Sequence, residues 1–116
     1  PTILVAEDED SNYLLVKAIL NKEYNLLWAK NGREAVSIFE KQDIDLILMD
    51  IKMPIMTGIE ALTEIRQESK SIPVVMLSAY VFDSDIEIAR LAGASDYLSK
   101  PVSVKQLKDT LNKYLS

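Results

Sequence analysis

The sequence predicts an α/β domain in which five strands alternate with five helices around a parallel sheet. Five short apolar runs recur along the chain, at Ile3–Ala6, Tyr24–Ala29, Ile44–Met49, Pro73–Leu77 and Tyr97–Ser99. The first, third and fourth are continuous rather than alternating, the pattern of strands buried on both faces. Helix-like stretches separate the runs, and strict alternation of the two kinds of element argues a parallel sheet with helices on both faces.

Each helical stretch has its own signals. Ser11 is placed to cap the first, which runs to about Asn21. Gly32 opens the second, where Ala35, Val36 and Phe39 fall at helical spacing. The third covers about Ile59–Gln67, with Ala61, Leu62 and Ile65 inward. The fourth spans about Ser84–Leu91 and ends at Gly93, a left-handed C-cap. Ser103 is placed to cap the last, where Val104, Leu107, Leu111 and Leu115 form one stripe. The expected organisation is a single domain over residues 1–116, with no repeat or linker inside it.

Composition excludes several function classes. The 116 residues include no Cys and no His. Disulfides, thiolate nucleophiles, cysteine zinc sites and imidazole general bases are therefore absent. Chemistry must come from carboxylates, hydroxyls, lysines or a hard metal. The net charge of −5 disfavours nucleic-acid binding through this domain. No apolar run approaches the ~18 residues of a membrane span. No basic stretch followed by an apolar run marks a secretion signal, and the missing cysteines fit a reducing cytoplasm. A cytoplasmic location is expected, either alone or as the cytoplasmic part of a membrane-anchored kinase.

Open parallel sheets bind ligands beyond the carboxyl ends of their strands. Glu7 and Asp8 follow the first run, Asp50 closes the third, Ser78 follows the fourth, and Lys100 follows the fifth, just before Pro101. Singly, each has an ordinary reading. Glu7 to Asp10 would serve as a solvated helix start, and Asp50 as a turn or cap residue. Together they make a specific set. Three carboxylates converging in one crevice repel one another, and a hard dication, Mg²⁺ or Mn²⁺, resolves the repulsion with oxygen ligands. The backbone carbonyl of Lys52, two residues past Asp50, is placed to add a ligand. A carboxylate also serves as a nucleophile in aspartyl-phosphate chemistry. An arriving phosphoryl group would meet the metal, the Lys100 ammonium, the Ser78 hydroxyl and nearby backbone N–H groups, Ala79 among them.

The stretches ILVAEDE (Ile3–Glu9), DLILMDIKMPIMTG (Asp45–Gly58), VVMLSA (Val74–Ala79) and DYLSKP (Asp96–Pro101) resemble the receiver, or response-regulator, domain of two-component signalling. The resemblance covers essentially the whole chain. It implies a flavodoxin-like three-layer (βα)₅ fold with strand order 2-1-3-4-5. It implies Asp50 as phosphoacceptor, Asp8 as a direct Mg²⁺ ligand and Glu7 as a ligand through water. It further implies Ser78 as switch hydroxyl, Lys100 as phosphate-pairing lysine, Tyr97 as switch aromatic and a cis Lys100–Pro101 bond. The family often has Asp where Glu7 stands and Thr where Ser78 stands, and both differences retain the chemistry. Thr57 lies where many members have Asp. The phosphodonor would be a histidine kinase or histidine phosphotransfer domain, and helix four, strand five and helix five would form the responsive face and a candidate homodimer surface.

Asn12 and the stretch GASDYLSKPV are most similar to receivers of hybrid sensor kinases and phosphorelays. The first helix is almost wholly apolar over Tyr13–Leu20, with Asn12, Leu15 and Ala18 as candidate docking residues for a four-helix phosphodonor. Lys52 and Tyr80, two residues past Asp50 and Ser78, are candidate rate-tuning residues. The domain would catalyse its own phosphorylation and dephosphorylation without turning over a free substrate. Two other classes compete. A dehalogenase-type aspartyl-phosphate enzyme would want a second Asp where Lys52 stands. A receiver-like module that only binds partners commonly loses the acceptor or the lysine, and both are here.

Overall fold

The computed structural model describes residues 1–79 and 83–115. Its elements alternate as expected: β1 (Thr2–Ala6), α1 (Asp10–Leu20), β2 (Asn25–Ala29), α2 (Gly32–Lys41), β3 (Leu46–Asp50), α3 (Gly58–Glu68), β4 (Val74–Ser78), α4 (Asp83–Ala92), β5 (Asp96–Ser99) and α5 (Val104–Leu115). All pairings are parallel and the strand order is β2-β1-β3-β4-β5. The three continuous apolar runs are the three central strands, and the weaker runs are the two edges. Asp50 and Ser78 are the last residues of their strands rather than the first beyond them.

Alternation along the strands divides the core into two layers. Ile3, Val5, Leu46, Leu48, Val75 and Leu77 pack under Tyr13, Val16 and Leu20 of α1 and Leu107 and Leu111 of α5. Leu4, Ala6, Ile47, Met49, Val74 and Met76 pack under Ala35 of α2, Ala61, Leu62 and Ile65 of α3, and Ala89 of α4. Each layer is close-packed and excludes water, so polar groups reach solvent only around the rim of the sheet.

The helix ends show two departures from the sequence reading. Ser11 does not cap α1. Glu9 holds the cap position with extended backbone, its own side chain makes no capping bond, and Ser11 lies inside the first turn. Val104 is 53% exposed and leaves the α5 stripe to Leu107, Leu111 and the partly buried Leu115. Other ends follow the rules. Ser103 accepts from the Gln106 N–H, and Asn31 caps α2 by accepting from the Glu34 N–H. Thr57 and Glu60 form a reciprocal capping box that starts α3 one residue earlier than expected, at Gly58. Gly93 has φ +108, the left-handed conformation expected of the α4 cap.

Arg66 joins three segments that the sheet alone does not. Its guanidinium donates to the carbonyls of Gly93, Ser69 and Ile72 and to the Ser95 hydroxyl, at 2.7–3.2 Å. Burial lowers its pKa from the ordinary value. The end of α3, the entry to β4 and the α4–β5 turn are thereby fixed to one another.

Gly58 sets the approach of α3 to β3. A Cβ there would lie 1.9 Å from the Asp50 carbonyl oxygen, far inside contact distance. The same glycine donates its N–H to the Ile51 carbonyl at 2.9 Å. Gly58→Ala must displace the backbone beneath Asp50. It is expected to lower the unfolding free energy by about 2–4 kcal/mol, read from the denaturant midpoint at unchanged m-value. An unchanged midpoint would show that the Asp50 backbone yields freely.

Candidate functional site

β1 and β3 are adjacent and end together, so Glu7 and Asp50 emerge side by side on the α1/α5 side of the sheet. Both are buried, at 2% and 6% exposure, and so is Ser78. Asp8 is exposed. Carboxylate oxygens of Glu7, Asp8 and Asp50 lie within 4.8 Å of one another. Lys100, carried in by β5, places its ammonium 2.7 Å from Glu7 and 2.8 Å from Asp50. Its backbone N–H donates to the Ser78 carbonyl at 2.7 Å, which ties the β5 exit to the end of β4. The Lys100–Pro101 bond is cis, as the resemblance implied.

The electrostatics follow from this burial. Loss of water is the largest influence on Glu7 and lifts its pKa. The Lys100 hydrogen bond opposes the rise, the Asp50 charge adds to it, and the net shift is upward. Burial also works against the Lys100 charge. The hydrogen bonds and attraction of Asp50 and Glu7 prevail, and its pKa stands above the ordinary lysine value. The Glu7 carboxylate also accepts from the Glu9 N–H at 3.3 Å and the Asn12 side-chain amide at 3.5 Å. The Lys52 N–H reaches an Asp50 oxygen at 3.4 Å.

Asp50 and Lys100 open onto a cavity of about 550 Å³ whose lining does not include the buried Glu7. Asp8, Asp50, Lys52, Ser78, Ala79 and Lys100 line it, together with Glu9, Asn12 and Pro101. The predicted constellation is thus brought together. Tyr97 stands apart from the cavity. It pairs with Met76 in the β4–β5 register and packs against the α2–α4 core, on the same side of the sheet as Ser78. Leu15 is 41% exposed on α1, Ala18 is exposed as well, and Leu14 is 57% exposed. Tyr80 lies outside the described residues.

Sequence reasoning missed two contributors. Glu9 joins the site through its backbone, which side-chain chemistry does not reveal. Trp28, remote in sequence, donates its indole N–H to the Glu7 carbonyl at 2.8 Å. An all-oxygen donor set with two buried carboxylates fits a hard dication of the Mg²⁺ type. Among the described residues, no helix is long and apolar enough to cross a membrane.

Known proteins agree with this picture. The receiver domain of sensor histidine kinase PA1611 from Pseudomonas aeruginosa PAO1, solved with a magnesium ion coordinated in its active-site cleft, is 33% identical, with TM-score 0.91 over 97% of this chain and 95% of that one. The co-crystal of the Saccharomyces cerevisiae phosphotransfer protein Ypd1 with the receiver domain of Ssk1 gives 32% identity and TM-score 0.91 over 97% of this chain and 87% of that one. Hybrid signal transduction histidine kinase I of Dictyostelium discoideum is 35% identical over 95% of this chain, which spans only 7% of that protein's length. The family model for the response regulator receiver domain matches residues 3–112. With the strand order and the strand-end constellation described above, the chain belongs to the response regulator receiver domain family of two-component signalling.

Proposed function

We propose that the domain accepts a phosphoryl group from a partner phosphohistidine onto Asp50, and relays it by a change of surface shape or by onward transfer. The observation that carries this reading is the Lys100 ammonium held between Glu7 and Asp50 in the lining of an open cavity. Asp50 is the nucleophile. A bond from its carboxylate oxygen to phosphorus forms as the phosphorus–nitrogen bond breaks, and the departing electron pair stays on the imidazole. Lys100, already beside Asp50, pairs with the transferred group. The Ser78 hydroxyl and the Ala79 N–H donate to its remaining oxygens. Asp8, Asp50, the Lys52 carbonyl and, through water, Glu7 hold Mg²⁺, which when bound neutralises charge on the phosphoryl oxygens.

The phosphoryl group on Asp50 carries about 1.5 to 2 negative charges where the carboxylate carried one. Ser78 is drawn toward them, and Tyr97 follows on the same side of the sheet. The surface of α4, β5 and α5 then changes by a population shift. Ile88 and Leu91 of α4, 51% and 73% exposed, give that surface apolar anchors for a partner or a second copy of the chain. A histidine kinase or histidine phosphotransfer domain is the proposed donor, and the cytoplasm the proposed compartment.

Acetyl phosphate with Mg²⁺ should add about 80 Da, one HPO₃, to the intact chain. Asp50→Asn should gain nothing, and full labelling of that variant would overturn the assignment.

The exposed side chains of Leu14, Leu15 and Ala18, beside Asn12 in the cavity lining, are the proposed seat of the phosphodonor. Leu15→Asp should slow transfer from the partner at least about tenfold, a loss of roughly 1.4 kcal/mol, with labelling by acetyl phosphate intact. Equal loss in both assays would make Leu15 a packing residue.

Lys52 and Tyr80 are proposed to slow hydrolysis. Lys52 lines the cavity beside Asp50, and neither side chain is a carboxylate or amide that would orient an attacking water. After donor removal, Lys52→Asn/Tyr80→Ala should lose phosphate about tenfold faster than the wild type. Equal decay would show that the two side chains do not guard the bond.

A further inference from the structure

β1 ends at Ala6, and the two residues that follow it carry carboxylates of the acidic cluster. The Glu7 N–H extends the parallel ladder by donating to the Ala29 carbonyl at 2.9 Å. The ladder stops there, because β2 ends at Ala29 and Asn31 has turned to cap α2. The Glu7 carbonyl accepts instead from the Trp28 indole at 2.8 Å. That carbonyl and the Asp8 N–H belong to one planar peptide unit. The indole therefore sets the plane from which the Asp8 side chain departs toward the cavity.

The indole is itself held. Its ring stacks on Tyr13 of α1 with centroids 4.1 Å apart and planes 3° from parallel. The Lys30 ammonium lies 4.7 Å from the indole centroid. Tyr13 is buried, and its N–H donates to the Glu9 carbonyl at 3.1 Å, one of the first bonds of α1. Both ends of the loop that carries Glu7 and Asp8 are thus tied to the aromatic pair: one by the indole hydrogen bond, the other through the first turn of α1. The Glu9 side chain does not cap that turn; the Glu7 carboxylate accepts from the Glu9 N–H and the Asn12 amide, while the carbonyl of the Glu7–Asp8 peptide takes its bond from Trp28.

We propose that Trp28 is a positioning residue for the acidic site: its indole N–H orients the Glu7–Asp8 peptide so that both carboxylates meet Asp50 around a divalent cation. This rests on the metal reading of the cluster given above. A purely structural Trp28 would matter through its ring, because a buried indole simply takes whatever acceptor lies near. A positioning Trp28 matters through its N–H. Trp28→Phe keeps a ring against Tyr13 and removes the donor, which separates the two roles.

The test is a Mg²⁺ titration of the whole chain, followed by backbone amide chemical shifts of Glu7, Asp8 and Asp50. The expected result is a Kd about tenfold weaker in Trp28→Phe, the scale of losses seen when a partner that orients a metal ligand is removed. Leu26→Ala serves as control. Leu26 lies two residues earlier on the same face of β2 and packs in the same core layer, so its truncation loosens the strand without touching the hydrogen bond, and its Kd should match the wild type. An unchanged Kd in Trp28→Phe, or an equal loss in Leu26→Ala, overturns the proposal. The wild type supplies an independent reading, because Trp28 is the chain's one tryptophan and its indole N–H gives a single resonance. That resonance should shift on Mg²⁺ addition with the midpoint of the Asp8 amide, and a resonance that stays fixed through saturation overturns the proposal even if the variants fail to fold. A wild type that binds no Mg²⁺ overturns the metal reading and this inference together. Binding by the wild type with an indifferent indole overturns this inference alone.

Discussion

Glu7 and Asp50 end neighbouring strands on one side of the sheet, above a core that excludes water. Loss of solvent opposes their charges, and each opposes the other. Lys100 meets both difficulties with one ammonium, at 2.7 Å from Glu7 and 2.8 Å from Asp50. A buried group of this kind holds only when complete. Truncating the cation would leave two carboxylates facing each other without compensation. The arrival of β5 beside β4, and the bond from the Lys100 N–H to the Ser78 carbonyl, therefore bring the ammonium to both carboxylates, and the rest of the site is arranged around them.

Much of the fold was legible because the physics is local or periodic. Continuous apolar runs announced the central strands, and the weaker second and fifth runs proved to be the edges. Gly93, Ser103 and Gly32 marked helix ends through backbone rules that need no tertiary information. The acidic site was legible for a different reason. A parallel sheet aligns its strand ends, so residues far apart in the chain can be placed together once the strands are known. Ser11 misled because a capping side chain was inferred from residue type, whereas the helix begins at Asp10 and Glu9 takes the cap position. Val104 misled because spacing alone cannot tell which end of a stripe overhangs the sheet.

Arg66 and Trp28 were not legible. Each acts by reaching across elements to backbone carbonyls, and a carbonyl carries no sequence signal. Nothing in the sequence sets Arg66 apart from the other charged residues of α3. Its guanidinium instead supplies donors to carbonyls at the end of α3, the β4 entry and the α4–β5 turn, groups that would otherwise be left unsatisfied. Thr57 is intermediate. Its place among family members drew notice, but its capping box with Glu60 is an ordinary pattern that sequence alone could have found.

The division of the core into two layers has a consequence for how such a domain diversifies. Glu7 and Asp50 share their side of the sheet with α1 and α5, while Ser78 and Tyr97 share the other with α2, α3 and α4. Five close-packed strands lie between, and side chains of the two layers meet only around the rim. A substitution on α1 is therefore repacked by neighbours in its own layer and leaves α4 undisturbed, as expected for separated, nearly additive sites. The two outer surfaces can drift like independent alphabets written on opposite sides of one page, while the strand-end residues that join them keep their chemistry. One scaffold can in this way carry many pairings of input and output without crossed wires.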